Sequence, residues 1–154
     1  MDNEHSIPAM KTALFPGTFD PFTKGHADIV ERGLRLFDRV IIAIGVNESK
    51  TPAEDKEERL NDIRRLYADN SKVEVCAYTG LTCDFARQQG AGFILRGVRT
   101  LKDYEYERDI ADINRHLSGI ETVVLFSRPE LAAVSSSIIR ELQHNGRDVT
   151  EFLP

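Results

Sequence analysis

Five apolar, β-branched runs recur along the chain, and a segment with helical spacing of its own apolar residues follows each of them. The runs are "KTALF", "RVIIAIGV", "KVEVCAY", "GFILRG" and "ETVVLFS". This one-to-one alternation constrains the fold more than any other feature. Strands separated by helices cannot form hairpins; they line up in parallel, with helices covering both faces of the sheet. "RVIIAIGV" is almost wholly apolar, as a strand buried on both sides must be. Right-handed crossovers then give a doubly wound, Rossmann-like α/β layer of about five parallel strands.

The intervening helices carry their own start and stop signals. The first is expected over about Lys24 to Phe37, with Val30, Leu34 and Phe37 on one face. In "TPAEDKEERLNDIRRLYADN", Thr51 and Glu54 have capping-box spacing and Pro52 suits the first helical position; Leu60, Ile63 and Tyr67 form its apolar stripe. A short helix around "LTCDFARQQ" can end at Gly90. "DYEYERDIADINRHLSG" reads as a helix closed by Gly119, and "SSSIIRELQHNG" as a last helix with a serine cap and a glycine stop. At 154 residues, with no linker or repeat, the chain reads as a single domain over 11–154 after a disordered tail at 1–10, with Met10 a second possible start.

The formal net charge of −5 gives no general surface for nucleic acid, so a small anionic ligand would need a local basic pocket. No apolar run approaches the roughly 20 residues of a membrane span, and the acidic N-terminus is not a signal peptide. The two cysteines, Cys76 and Cys83, form neither a CxxC pair nor a disulfide framework, which fits a reducing cytoplasm.

In an open parallel sheet, ligands bind beyond the carboxyl ends of the strands. The unusual residues of this chain collect at that one edge. "PGTFDPFTKGH" follows the first strand, "NESK" the second, "TGLT" the third, "RGVR" the fourth and "SRPELAAVSSS" the fifth. Two of these segments feed helix N-termini, whose free N–H groups and dipole attract anions. Gly17 and Gly25 would let backbone or ligand come close, and Lys50, Arg96 and Arg99 add positive charge. Each piece also has a plain structural reading. The first segment could be a simple connection, His26 a structural histidine, the serine run only a cap, the cations solvated charges, and Glu107 a solvated group or a partner of Arg108 or Lys102. The argument is their convergence on one edge. The P-loop, the dinucleotide GxGxxG, the GxSxG elbow and a zinc-ligand spacing are all absent.

"GTFDPFTKGH" resembles the T/HxGH signature of the nucleotidyltransferase superfamily, here Thr23-Lys24-Gly25-His26, and "SSSIIRE" resembles its second, ISSxxIR-type signature. Nearly the whole chain is similar to the phosphopantetheine adenylyltransferase family, through "LFPGTFDPFTKGH", "NESK", "FARQQGAGFILRGVRTLKDYEYE", "NRHL", "VSSS" and "DVTEFLP" in that order. The "RGVRTLKDYEYE" block is the most specific part. The resemblance implies a bacterial cytoplasmic enzyme of coenzyme A synthesis that converts ATP and 4′-phosphopantetheine into dephospho-coenzyme A and pyrophosphate, with Mg²⁺ carried on the phosphates. It implies a homohexamer, with coenzyme A as feedback inhibitor. It assigns Thr18, Phe19 and His26 to the nucleotide phosphates, and Thr18, Lys50, Thr82 and Arg96 to phosphopantetheine. ATP would also be held by Gly97, Val98, Arg99, Glu107 and the segment Leu131, Ala132, Ala133, Val134, Ser135, Ser136 and Ser137. His26, Lys50 and Arg99 would be the catalytic side chains. The chain departs from the pattern in two places: Thr82 stands where relatives often have a larger apolar residue, and Val134 opens the serine signature.

The chemistry suits such a site. A phosphate monoester has a second pKa of about 6, so the acceptor is already an anion and attacks the α-phosphorus of ATP without a general base. The reaction needs alignment and relief of negative charge, not a covalent nucleophile. Rival readings fit less of the chain. Cytidylyltransferases share the opening but end on an RTxGxST-type signature; nicotinamide mononucleotide adenylyltransferases lack the "RGVRTLKDYEYE" block. A regulatory domain that only binds ATP would need no acceptor pocket, and a purely structural α/β module leaves the one-sided edge unexplained.

Overall fold

Alternate residues along the strands divide the core into two layers. Ala13, Phe15, Val40, Ile42, Ile44 and Leu95 face one side, where Ile29 and Val30 of the first helix and Leu60 and Ile63 of the second cover them. Leu14, Ile41, Ala43 and Ile94 face the other, under Ala86, Ala91 and Ile120. This is the period-2 alternation of a sheet packed on both faces. Each fully buried Ile or Leu contributes about 1.5–3 kcal/mol, so the central strands carry much of the stability.

The computed structural model describes residues 10–47 and 53–154. Strands β1 (Thr12–Gly17), β2 (Arg39–Gly45), β3 (Val73–Tyr78), β4 (Phe93–Val98) and β5 (Glu121–Phe126) alternate with helices α1 (Lys24–Gly33), α2 (Ala53–Leu66), α3 (Thr82–Gln88), α4 (Leu101–Ser118) and α5 (Ser136–His144). The sheet is wholly parallel, in the order β3-β2-β1-β4-β5. The doubly wound expectation holds.

Element ends differ from expectation for local reasons. Helix α1 stops at Gly33, not Phe37. A β-carbon at Gly33 would lie 2.6 Å from Leu95, so the helix sits tightly on the sheet there before turning toward β2. Phe37 is still buried, from the turn, with its ring 5.3 Å from Phe93. Helix α4 begins earlier than expected because Thr100 caps it, accepting from the Asp103 N–H at 3.1 Å. It ends as expected at Gly119, whose φ of 75° suits a residue without a β-carbon. Two 3₁₀ turns, Pro129–Leu131 and Thr150–Phe152, carry no periodic signal. Thr51 of the expected Thr51–Glu54 capping box and residues 1–9 of the expected 1–10 tail lie outside the described residues.

One feature of the register makes the site. β1 pairs with β2 along its whole length, through Gly17 opposite Ile44, but with β4 only at Ala13 and Leu14. Beyond Leu14 the two strands separate. Because β1 and β4 are the neighbours at which the winding reverses, the gap is the crevice of a doubly wound sheet. Pro16, which has no N–H for a ladder, is accommodated at that unpaired edge.

Candidate active site

The crevice holds a cleft of about 430 Å³ bordered by the first turn, the end of β4, α4 and the start of α5. A second space of about 280 Å³ adjoins it and runs toward β2 and β3; both are lined by Pro16, Gly17, Thr18, Arg96, Tyr106 and Glu107. Together they offer room for two ligands that meet at the carboxyl end of β1.

The first turn is built around an imidazole. Thr23 caps α1, accepting from the His26 N–H at 3.4 Å, while the His26 Nδ1 accepts from the Thr23 N–H at 2.9 Å. His26 is therefore the return half of a capping box, a role usually taken by Glu or Gln. The bond also fixes the tautomer. With its lone pair on Nδ1, the neutral ring carries its proton on Nε2, free to be donated into the cleft that His26 lines. The rings of Phe15, Phe19 and Phe22 lie 6.4, 5.0 and 5.3 Å from the imidazole. Burial in this aromatic surround, reinforced by the Arg96 and Arg99 charges, lowers the His26 pKa to about 4. At neutral pH the group is a hydrogen-bond donor without charge.

Phe19 has a φ of 49°, the left-handed region that costs a non-glycine residue about 1–3 kcal/mol. Its ring is 3% exposed and meets Phe15 and Phe22 edge-on. Gly17 makes that possible, because a β-carbon there would lie 2.8 Å from the Phe19 ring. The space expected to be left for ligand at Gly17 is thus taken by protein. At Gly25 the nearest backbone atom to such a carbon is the Val134 carbonyl oxygen, 3.6 Å away, so the two signatures pack against each other.

The serine run is anchored to the first turn. Ser135 caps α5, accepting from the Ile138 N–H at 3.2 Å. The Ser136 hydroxyl donates to the Pro21 carbonyl at 2.7 Å, and Arg140 donates to the Asp20 carbonyl at 2.6 Å and to the Ser137 hydroxyl at 3.2 Å. The amides of Ser136 and Ser137, the first helical residues, stay available to an anion.

Arg96 reaches across the gap from β4. Its Nε and Nη2 make a fork with the Glu107 carboxylate at 2.7 to 3.0 Å, and its Nη1 donates to the Pro16 carbonyl. Glu107 is 6% exposed and pairs here, not with Arg108 or Lys102. Arg99 is held more loosely by Asp103 at 3.3 Å. Despite the net negative charge of the chain, Arg96, Arg99 and Arg140 all border the cleft.

Of the residues expected from sequence, Thr18, Phe19, His26, Arg96, Gly97, Arg99, Glu107, Leu131, Val134, Ser135, Ser136 and Ser137 line the larger space. Thr82 lines the smaller one, bonded through its hydroxyl to Tyr78 at 2.8 Å. Val98 is buried in the sheet, and Ala132 and Ala133 do not border either space. Lys50 lies outside the described residues. Sequence reading did not single out Tyr106, Asn114 or Arg140. Arg140 was within reach, as the arginine of the "SSSIIRE" signature; the other two sit on an amphipathic helix where nothing marks the face turned to the cleft.

Residues 14–142 match the model of the cytidylyltransferase-like family. Phosphopantetheine adenylyltransferases are close relatives. That of Phocaeicola vulgatus is 55% identical over 94% of this chain and 96% of its own length. Those of Porphyromonas gingivalis and Flavobacterium johnsoniae are 55% and 47% identical, over 92% and 94% of this chain and 93% and 95% of theirs. Among solved structures, a nicotinate-nucleotide adenylyltransferase candidate from Vibrio parahaemolyticus superposes with a TM-score of 0.63 over 94% of this chain and 93% of its own; at 16% identity, that likeness shows the shared fold.

Proposed function

The chain belongs to the phosphopantetheine adenylyltransferase family, and from that premise we propose how it works: it carries adenylyl from ATP to 4′-phosphopantetheine by direct in-line attack. A phosphate oxygen of the acceptor bonds to the α-phosphorus, the bond to the bridging α–β oxygen breaks, and pyrophosphate leaves with the electron pair. No bond to the protein forms. The observation that carries this reading is the buried, neutral His26, whose Nδ1 is occupied by Thr23 and whose Nε2–H is left for a phosphate oxygen. Such a group is a poor general base at neutral pH and a good fixed donor, which is what an already ionised nucleophile requires.

ATP occupies the larger space in this reading. Its triphosphate lies between the first turn and the α5 amides, near Phe19, Gly97, Leu131 and Val134, with Arg99 facing the departing pyrophosphate. Phosphopantetheine takes the smaller space beside Thr18, Thr82 and Arg96, and Lys50 neutralises the entering phosphate. Glu107 acts on ATP only indirectly, since its carboxylate is committed to Arg96. Mg²⁺ enters with ATP as part of the substrate. Mg²⁺ usually keeps several waters and few protein ligands, so no cluster of carboxylates is required.

Helix α4 supports the expectation of a homohexamer: Ile110, Ile113 and Leu117 share one face at helical spacing and are each more than a third exposed, an apolar stripe that a second copy could cover. Coenzyme A, which shares the adenylate and pantetheine parts of the product, would inhibit by filling both spaces. No helix among the described residues is long and apolar enough to cross a membrane, and Cys76 and Cys83 are unpaired, in keeping with action in the cytoplasm.

The decisive assay measures pyrophosphate release from ATP with phosphopantetheine, nicotinamide mononucleotide or glycerol phosphate as acceptor. Release only with phosphopantetheine, and inversion of configuration at an isotopically chiral α-phosphorothioate, are expected. Retention would point to two displacements and a covalent intermediate.

A further inference from the structure

We propose that Arg59, on α2 and outside the cleft, is a positioning residue that holds the Thr18–Phe19 peptide in its ATP-binding orientation. The proposal rests on the assignment of ATP to the larger space. The Arg59 side chain is only 12% exposed, yet it belongs to no charge cluster of the cleft. It lines a separate space of about 470 Å³ between the back of the first turn, α2 and the last residues of the chain. From there its Nη1 donates to the Thr18 carbonyl at 3.0 Å, and its Nη2 lies 3.6 Å from the Asp20 carboxylate.

The geometry gives this contact a consequence on the opposite side. Among the described residues Asp20–Pro21 is the sole cis peptide, so the Thr18–Phe19 peptide is trans and its C=O and N–H point in opposite directions. With the carbonyl turned to Arg59, the Phe19 N–H points away from Arg59, and Thr18 and Phe19 both border the cleft. The next backbone torsion is the unfavourable φ of Phe19, 49°. Rotating this peptide plane would relieve that torsion and turn a carbonyl lone pair toward an anionic ligand. A guanidinium on the carbonyl opposes the rotation, since a charge-assisted hydrogen bond is roughly twice as strong as a neutral one. The Asp20 and Pro21 carbonyls are secured in the same manner by Arg140 and Ser136. Those two residues line the ATP space, whereas Arg59 does not, so changing Arg59 alters the turn without removing a group that can touch ligand.

The test titrates ATP and phosphopantetheine separately into wild-type protein, Arg59→Ala and Arg59→Lys by calorimetry, beside melting temperatures and steady-state kinetics. Misplacing a positioned group by about 1 Å can cost on the order of a hundredfold, so Arg59→Ala is expected to weaken ATP binding by about tenfold or more. KM for ATP should rise in parallel, with phosphopantetheine affinity unchanged. Arg59→Lys, which keeps one cationic donor, should recover part of the loss. A variant that melts lower but binds ATP as the wild type does would reduce Arg59 to a stabilising contact and overturn the proposal. An equal loss for both ligands would overturn it too. Should the alanine variant fail to fold, Arg59→Lys decides alone: weakened ATP binding supports the role, unaltered binding refutes it. If the wild type binds ATP but releases no pyrophosphate with phosphopantetheine, the assigned reaction fails while the calorimetry still judges Arg59.

Discussion

Helices α1 and α5 both begin at the cleft on a hydroxyl cap, yet they are built to opposite plans. At α1 the cap is buried: Thr23 is 1% exposed, and its partner His26 sits among three phenylalanine rings. At α5 the cap, Ser135, is only half-buried at the cleft, and the hydroxyls of the next two serines bond to the first turn and to Arg140. A helix start offers the same dipole and the same free amides in either setting. Burial adds control over protonation, because desolvation keeps His26 neutral across the physiological range. Partial exposure adds access, with amides that a mobile anion such as pyrophosphate can reach and leave. In the proposed reaction, one terminus holds a single donor still and the other exchanges ligands.

The largest expected effect would break this contrast outright. His26→Ala should lower kcat about a hundred- to thousandfold, the usual cost of losing one transition-state donor. The same change removes half of a capping box and should lower stability by only about 1 kcal/mol, measurable by urea unfolding. Near-normal turnover would make α1 a capped helix and nothing more.

The pH dependence of stability sharpens the contrast next. His26 titrates near 4 in the native protein and near 6.5 when unfolded, so between these values the unfolded chain binds a proton that the native chain refuses. The contribution of the neutral ring is complete above pH 6.5 and is lost as pH falls through 4, amounting to about 3 kcal/mol in all. Unfolding free energies measured from pH 7 to 4 should show this loss in the wild type and a shallower one in His26→Ala. If the two profiles are parallel, His26 does not refuse the proton.

A smaller effect probes the aromatic surround itself. Gly17→Ala must displace the Phe19 ring, and overpacking of this kind costs about 1–3 kcal/mol. Denaturation measures the loss, and a rise in the His26 pKa, followed by its ring proton resonances, should accompany it as water enters. The smallest effect lies at α5. Ser135→Ala removes one cap bond, about 1 kcal/mol, and its deficit should not vary between pH 7 and 4 because nothing in that bond titrates there. A deficit that grew with acid would show the two termini to be coupled.

Much of this contrast could be read from the chain, though unevenly. "SSSIIRE" declares a capped helix, since capping residues act over three or four positions. "TKGH" marks an unusual turn, but nothing local says that His26 completes a capping box. The chain offered Arg108 or Lys102 for Glu107, yet residues one or five positions apart on a helix do not face each other, and the carboxylate turns to Arg96 on a strand instead. Arg59 gave no signal at all, being one charge on a helix rich in charges.

The order of strands and helices, their approximate ends and the gathering of polar residues at one sheet edge were determined by sequence alone, because periodicity, caps and breakers act within a few residues. Tertiary structure decided which strands are neighbours and therefore which distant groups meet. Placing β1 beside β4, then letting them part after Leu14, brings the Arg96 guanidinium to the carbonyl of Pro16, 80 positions away in the chain. The neutrality of His26 belongs to that same level: a pKa follows from what surrounds a group in space, and the surround exists only once the sheet has closed over it.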